Sequence, residues 1–295
     1  MKNICSLVTV YKPNIDKLKR NIETMLQYSD FVYLLFNSPV IQELEFDERI
    51  KSIDNNRNIG ISKAINIGIN VVAGVGFRYA MLFDQDSSLT RKNFEKLFLE
   101  MQEEEKKQKV ACIGPSLKVR NNNIPIYNWT KKKTTTIAKN VVSVNNIITS
   151  GMLINIQNFM DIGGFDEDFP VDFCDFVFCW KALYKGYCVL QSEDAYIVHE
   201  VGNYGMKIIG RTIHFHAPYR NYFLVRDTLN ICFKTKEMPL LARFHFSFFL
   251  PLRMLLYLSL LDEKFKRLKM YWLGFWDFIM NKRHFGSIAN ILNAD

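Results

Sequence analysis

Tyr79-Ala80-Met81-Leu82-Phe83-Asp84-Gln85-Asp86-Ser87 is an apolar run that ends in two spaced carboxylates. Five apolar residues in succession read as a buried strand. Alternation along an extended chain points Asp84 and Asp86 to the same side. Two hard oxygen donors at a strand's carboxyl end suit Mg²⁺ or Mn²⁺, which then hold phosphate oxygens. Asp-x-Asp is common by chance. Its place after a buried-type strand, with matching features on both sides, is what gives it weight.

Upstream, Ile4 to Tyr11 is another short apolar run of buried-strand type, and Asn14 after Pro13 can cap a helix carrying Ile15, Leu18, Ile22, Met25 and Leu26. Val32 to Phe36 and Ile50 to Ile53 read as further strands, Ile61 to Val72 as a helix, and Thr90 as the cap of the next helix. The charge run Glu103 to Lys109 that ends this helix reads as a solvated face. This alternation predicts an α/β fold, a mostly parallel sheet with helices on both faces. Residues 118 to 140 are polar and turn-rich. Ile147 to Ile154 reads as a strand, 158 to 169 as a loop around Gly163-Gly164, 173 to 185 as a helix, and 187 to 190 and 195 to 199 as strands. From about residue 218 the chain turns helical, aromatic and basic, which predicts a division into residues 1–217 and 218–295.

At 295 residues and 48% hydrophobic content the chain can bury a full core. The formal charge of +8 favours phosphates, on nucleotides or on an anionic membrane. Nucleic acid is set aside: there is no zinc-ligand spacing, no RNP-type sequence and no basic arm beyond Lys131-Lys132-Lys133. Six scattered cysteines, mostly flanked by apolar residues, read as reduced core residues rather than a disulfide framework. Residues 1 to 12 lack the pattern of a signal peptide, so a cytoplasmic protein is expected.

Asn58-Ile59-Gly60-Ile61-Ser62-Lys63-Ala64-Ile65-Asn66-Ile67-Gly68 opens a helix after the third strand. Glycine lets backbone approach a ligand, a helix N-terminus favours an anion, and Lys63 adds positive charge; a plain glycine turn with a packing glycine explains it equally well. Asp84 and Asp86 as metal ligands compete with a capped strand-end turn. They also compete with a haloacid-dehalogenase-type phosphatase, whose first Asp is a nucleophile but whose motif stands near the N-terminus with a later Gly-Asp pair. Asp172-Phe173-Cys174-Asp175 opens an aromatic helix; its acids serve either as dipole partners or as a general base for a hydroxyl. His199 ends a strand, and an imidazole there is either structural or completes the shell of a metal at Asp86; His214 and His216 compete for that role. Arg220 and Arg226, two near-turns apart, either neutralise phosphates or pair with Asp227 and other acids.

In this order the segments resemble family 2 glycosyltransferases, and specifically their bacterial rhamnosyltransferase branch, over roughly residues 4 to 285. Val8-Thr9-Val10-Tyr11-Lys12-Pro13 is similar to the opening strand and turn of the family, Asn37-Ser38 to part of its Asp-Asn-x-Ser, and Asn58 to Gly68 to its Asn-x-Gly-x-x-x-Ala-x-Asn-x-Gly. Asp84-Gln85-Asp86-Ser87 matches the branch's Asp-Gln-Asp-Ser; Ser150-Gly151 and Gly163-Gly164-Phe165-Asp166 match the loop toward the acceptor; Arg220 to Asp227 resembles its Arg-x-Tyr-Tyr-x-x-Arg-Asn. Phe36 replaces an acid, Val177 stands where the family often has Glu after Asp175, and Asp227 replaces Asn.

The resemblance implies a GT-A, Rossmann-like fold and a metal-dependent, inverting transfer. Asp84, Asp86 and His199 would hold Mg²⁺ or Mn²⁺. Thr9, Tyr11, Asn37, Asn58, Gly60, Lys63, Asp84, Arg220 and Arg226 would bind the nucleotide sugar. Asp175 would be the base, with Asp172 as the alternative because of Val177. It also implies dTDP-β-L-rhamnose as donor, with UDP-hexose or UDP-galactofuranose as alternatives, and a saccharide or lipid-linked saccharide acceptor in cell-surface polysaccharide assembly. A catalytically silent nucleotide-sugar or membrane-binding module is the rival reading.

Residues 234 to 283 hold ten Lys/Arg against four Asp/Glu, a net +6 of the total +8, interleaved with Phe244, Phe246, Phe248, Phe249, Trp272, Phe275 and Trp276. Arg243, Pro251 and Arg253 interrupt the best apolar stretch short of the ~20 residues a bilayer needs. A helix pair lying in an anionic membrane interface is expected, peripheral on the inner face of the cell membrane. A core or a homo-oligomer contact is the competing use of the same aromatics.

Overall fold

The computed structural model describes residues 3–119, 122–125, 136–138, 140–199, 205–208, 211–214 and 217–293. Strand β1 (Ile4–Val10) is buried along its whole length, which is why its sequence is mostly apolar and carries no charge. It pairs in parallel with β2 (Phe31–Phe36) on one side and β4 (Tyr79–Asp84) on the other, and β2 pairs in parallel with β3 (Ile50–Asp54). Asn14 caps α1 (Ile15–Met25) by accepting from Lys17 N at 3.0 Å, and Thr90 caps α3 (Arg91–Glu105) by accepting from Asn93 N at 3.3 Å. Between them α2 (Ile61–Val75) lies so close to β2 that a Cβ on Gly68 would stand 2.8 Å from Leu35 Cδ2.

Beyond β4 the sheet becomes mixed. The remaining strands are β5 (Val110–Val119), β6 (Asn122–Pro125), β7 (Thr136–Ala138), β8 (Val141–Ser143), β9 (Met152–Asn155) and β10 (Cys188–His199). The order is β3-β2-β1-β4-β9-β5-β10-β8-β7, with β6 paired to β5. The chain enters β9 from the carboxyl edge of the sheet, so β9 runs antiparallel to both β4 and β5. β10 returns parallel to β5.

Several expectations are corrected. β5 has no counterpart in the sequence reading, because Gly114-Pro115 interrupts its apolar run. The strand expected over Ile147 to Ile154 shrinks to Met152–Asn155. The loop expected from 158 onward is preceded and partly replaced by helix α4 (Ile156–Ile162), capped by Asn155 and closed by Gly163 at φ +100°. The two strands expected over 187–199 are one, with a register irregularity between Gln191 and Tyr196. Most of the polar segment 118–140, with Lys131-Lys132-Lys133, lies outside the described residues.

The core on one face of the sheet stacks Tyr28 on Phe94 at 4.3 Å; elsewhere Phe159, Phe165 and Phe178 meet within 5.3 Å. Each such ring contributes about 1.5–3 kcal/mol by leaving water. None of the six cysteines forms a disulfide, and all but Cys188 are buried, as expected.

By internal contacts the chain divides into two units, residues 1–167 with 174–199, and residues 168–173 with 200–295. The second unit contains the two-stranded ladder of β11 (Gly205–Ile208) and β12 (Arg211–His214), and the helices α6 (Arg220–Phe233), α7 (Leu240–Leu260), α8 (Lys264–Ile279) and α9 (Ala289–Asn293). α6 and α8 cross in near contact: a Cβ on Gly274 would meet the Tyr222 carbonyl at 2.5 Å. Helix α7 is, by length and composition, long and apolar enough to cross a membrane, with Arg243 and Arg253 inside it, where the sequence reading expected no such segment. Of its 21 residues only Leu250 is buried.

Glu100 of α3 has a carboxyl oxygen without a hydrogen-bond partner among the described residues. Burial, opposed by a hydrogen bond from Ser192 and aided by nearby Asp194, pushes its pKa up to about 7. Its carboxyl therefore binds a proton more tightly in the fold than in the unfolded chain, so stability falls as pH climbs from about 4.5 to 7. Glu100→Gln is expected to raise Tm relative to the parent at pH 8 and to lose that advantage at pH 4. A pH-independent difference in a thermal melt series would contradict this.

Candidate active site

Parallel pairing of β1, β2, β3 and β4 aligns their carboxyl ends along one edge: Val10 lies opposite Phe36, Phe36 opposite Asp54, and Thr9 opposite Asp84. In open α/β sheets this edge is where ligands bind. Strand β4 ends at Asp84, and Gln85-Asp86 forms a turn closed by Ser87 N donating to the Asp84 carbonyl at 3.1 Å. The alternation expected to align Asp84 with Asp86 therefore stops at Asp84, because the chain turns before reaching Asp86. Asp84 is half-buried and accepts from the Ser150 hydroxyl at 2.5 Å. Asp86 is exposed, with the Ser87 hydroxyl 3.3 Å from its carboxylate.

The turn is tied to the exit of β1. Gln85 Oε1 accepts from Tyr11 N at 2.8 Å, and the Gln85 carbonyl accepts from Asn21 Nδ2 at 3.2 Å. At the end of β2, Asn37 donates through Nδ2 to the Gly60 carbonyl at 3.2 Å and accepts from Asn55 Nδ2 at 3.0 Å. Asn58 Oδ1 accepts from Gly60 N at 3.0 Å, and Gly60 takes φ +79° as α2 begins. Thr9, Tyr11, Asn37, Asn58, Gly60, Asp84 and Asp86 thus gather on one sheet edge. Lys63, in the first turn of α2, is half-exposed and 3.9 Å from Glu167.

Two positions without an assigned role in the sequence reading carry much of this architecture. Ser150 bridges Asp84 and Ser87. Asn66 clamps the glycine loop, accepting from Phe165 N at 3.0 Å and donating to the Phe165 carbonyl at 2.9 Å and to Glu167 at 3.2 Å. Gly164 sits against it at φ +64°, where a Cβ would lie 2.8 Å from Asn66 Oδ1. The signal for Asn66 was present in its place within the Asn58 to Gly68 motif.

Asp175 lies in the first turn of α5 (Cys174–Tyr184) and accepts from Phe176 N at 2.9 Å. Three residues separate α5 from β10, which starts at the amino edge, so the first turn of a helix running back along the sheet lies toward the carboxyl edge. Asp172 and Arg220 belong to the helical unit and pair with each other there. Arg226, expected beside a phosphate, is wholly buried in that unit. Its nitrogens donate to Asp227, to the Tyr222 hydroxyl at 3.2 Å, to the His284 carbonyl and to the Asp168 carbonyl at 3.1 Å. His199 closes β10, parallel to β5, but its side chain lies outside the described residues, as does that of His214; His216 lies outside them altogether. Among the described residues no three acidic, His or Cys side chains converge. The two carboxylates at the β4 turn are hard donors of the kind Mg²⁺ uses when phosphates and water complete its shell.

Residues 38–161 match the family described as Glycosyl transferase family 2. Over 249 residues the chain is 28% identical to the dTDP-rhamnosyl transferase RfbF of Shigella flexneri, covering 81% of this chain and 82% of that one. The fold is that of S. aureus TarS residues 1–349, at TM-score 0.57 and 12% identity over 94% of this chain and 80% of that one. GalNAc-T7, solved with UDP, GalNAc and Mn²⁺, superposes at TM-score 0.55 and 11% identity over 94% of this chain. The chain has a GT-A fold, and over residues 38–161 it is similar to family 2 glycosyltransferases. It is distantly related to bacterial nucleotide-sugar transferases, and spans 56% of GalNAc-T7 and 49% of a longer TarS chain. The matched segment includes Asn58, Gly60, Lys63, Asp84, Asp86 and Ser150, and ends before Asp172, Asp175 and the two arginines.

Asn66→Ala is expected to leave the buried Phe165 backbone groups unpaired, a cost of about 1–3 kcal/mol. Urea denaturation reads this directly, and a midpoint equal to that of the parent would remove the clamp.

Proposed function

We propose that this protein transfers L-rhamnose from dTDP-β-L-rhamnose to a saccharide acceptor, with inversion at the anomeric carbon. The observation that carries the reading is the β4 turn: Asp84 and Asp86 at the carboxyl edge of a parallel sheet, inside the segment that matches family 2, beside the β1 and β2 exits. The choice of rhamnose is supported by the relationship to the Shigella enzyme and by the Asp-Gln-Asp-Ser sequence itself.

Thr9, Tyr11, Asn37, Asn58, Gly60 and Lys63 bind and orient the nucleotide at this edge. A bound Mg²⁺ or Mn²⁺, held by Asp84 and Asp86, with His199 as a third ligand, would neutralise the diphosphate as negative charge develops on it. Asp175 accepts the proton of the acceptor hydroxyl. The hydroxyl oxygen forms the new bond to the anomeric carbon on the face opposite the departing group. As that bond forms, the bond from carbon to the diphosphate oxygen breaks and its electron pair leaves with dTDP.

The helical unit supplies the place of work. Leu241, Phe244, Phe248, Leu252 and Leu255 expose one stripe of α7, and Phe265, Leu268, Trp272, Trp276 and Ile279 one stripe of α8. Exposed Lys264, Lys266 and Lys269 accompany the second stripe. An apolar, Trp-bearing stripe with lysines beside it suits the surface of an anionic bilayer. Arg243 and Arg253 argue against burial of α7 in hydrocarbon, where each costs roughly 2.5–3.5 kcal/mol at mid-membrane. The reading is a peripheral enzyme of the inner membrane face acting on a lipid-linked acceptor.

Asp86→Asn is expected to lower acceptor-dependent release of dTDP from dTDP-rhamnose by at least about a thousandfold. Tm should hardly move, because Asp86 is exposed. Near-normal turnover would remove the carboxylate's role. In a parallel test, vesicles containing an anionic phospholipid should float the protein at low salt, and Trp272→Ser combined with Trp276→Ser should reduce the floated fraction. Parent protein that stays in the soluble fraction would refute the membrane placement.

A further inference from the structure

Residues Asp168–Phe173 stand in sequence between two stretches of the sheet unit, yet they belong to the helical unit. Five contacts hold them there. Arg226 Nη2 donates to the Asp168 carbonyl at 3.1 Å, and Arg283 lies 3.4 Å from the Asp168 carboxylate. Val171 packs on the cluster of Tyr222, Phe223 and Met270. The Arg220 guanidinium donates to the Asp172 carboxylate, and the Phe173 ring meets Phe246 edge-on at 5.6 Å. Phe173 itself takes φ +68°, a left-handed conformation that an aromatic L-residue keeps only where its surroundings over-determine it. The next residue, Cys174, begins α5, and Asp175 follows it.

The two arginines expected to neutralise phosphates are spent differently. Arg226 has no exposed surface, every guanidinium nitrogen donates internally, and the Tyr222 and Phe223 rings flank it at 5.1 and 5.2 Å. Arg220 is one-third exposed and engaged with Asp172, which is exposed to the same degree. A phosphate ligand needs N–H groups aimed at solvent. An acid acting as general base needs its oxygen open to the acceptor hydroxyl.

We infer that Arg220 and Arg226 are positioning residues that fasten the segment leading into Asp175, and that Asp172 acts as the anchor of Arg220 rather than as the base. This rests on the transfer reading and deepens it, because it chooses between the two candidate carboxylates. Arg226 is the permanent fastening, sealed in the helical core. The Arg220–Asp172 pair is the outer fastening, and it fixes the strained residue that precedes α5. Loss of either partner lets the segment shift while leaving the nucleotide edge of the sheet intact.

Because Arg226 variants can fail to fold, the test uses Arg220→Gln, Asp172→Asn, their combination and Arg220→Lys, each checked by thermal melting. Acceptor-dependent dTDP release and donor affinity by calorimetry are measured in the presence of Mn²⁺. Each single variant is expected to lose kcat by about ten- to a hundredfold, as misplacement of a reacting group does. The double variant should lose no more than the worse single one, the signature of residues acting as a unit. Arg220→Lys should recover part of the loss, and donor Kd should change less than about twofold. Asp172→Asn should keep the acid limb of the pH profile of kcat, which Asp175→Asn abolishes. Any of four results overturns the inference: additive losses, single variants at the parent kcat, a donor Kd raised tenfold or more by Arg220→Gln, or disappearance of the acid limb in Asp172→Asn. A parent protein without acceptor-dependent release defeats the transfer reading itself, and that failure is separate from the other four.

Discussion

The structure depends on one constraint: β1 is hydrogen-bonded on both sides and covered on both faces. No charged group lies along its length, and its mid-strand hydroxyl, Ser6, is taken up by the Ser29 hydroxyl at 2.8 Å, so the first side chains able to meet a ligand are those at its carboxyl end and at the ends of its neighbours. The same constraint decides how the edge is stabilised. The segments leaving β1 and β3 would have unpaired backbone groups, and the chain supplies amide side chains for them. Gln85 takes the Tyr11 N–H, Asn37 takes the Gly60 carbonyl and Asn58 takes the Gly60 N–H. These are neutral donors and acceptors. They fix the loops without adding charge at this edge, which leaves the carboxylates at the β4 turn as the negative groups of that turn.

The helical unit solves a different problem with charge. Arg226 and Asp227 are both wholly buried, and burial pushes the Asp227 carboxyl up against the pull of its partner. Asp277, also buried, is drawn the other way. Burial raises it, but the Ser287 N–H and the Tyr222 and Ser287 hydroxyls hold the carboxylate below its ordinary value. A second set of bonds runs from Arg267 to the Asn221 side-chain oxygen at 2.7 Å and from Asn221 Nδ2 to the Tyr271 hydroxyl at 2.8 Å. Such networks add little net stability when complete, yet removing one partner costs about 3–5 kcal/mol. Their effect here is specificity of packing: they fix α6 against α8 at a crossing with no room for a side chain at Gly274. With so much of α7 and α8 facing outward, internal polar bonds replace some of the apolar burial that a helical unit would otherwise use.

Local signals were legible in the sequence, and those that depend on tertiary pairing were not. The caps Asn14 and Thr90 act within three residues, so they announce their helices wherever the chain folds. The strand β5 was missed because Gly114-Pro115 imitates a turn. In the structure Pro115 falls at an interruption of pairing, and Gly114 is where Ile147 approaches to 3.0 Å of a would-be Cβ. Asp84 was correctly placed at a strand end, but the turn after it is closed by a backbone bond that no periodicity encodes. Arg226 looked like a surface cation because a lone arginine carries no mark of burial. Asp227 beside it and Tyr222 one turn before were the readable hints, since both offer it partners on its own helix.

The two units therefore divide the chemistry by the kind of group each can hold. An edge of strand ends offers backbone and amide groups whose positions are set by register, which suits recognition of a rigid nucleotide. A helical unit with a net positive C-terminal stretch attracts anionic surfaces over distances near the Debye length, where the exact side-chain geometry matters little. Between these two tasks the chain places a short acidic stretch, Asp166 to Asp175, whose members are held separately: Asp166 by Lys181 at 3.0 Å in the sheet unit, Asp168 and Asp172 by arginines in the helical unit. A stretch of carboxylates near an anionic donor would repel it unless most were neutralised by internal cations. On the proposed reading, that repulsion is tempered by pairing Asp166 with Lys181, Glu167 with Lys63, Asp168 with Arg283 and Asp172 with Arg220, each within the unit that holds it.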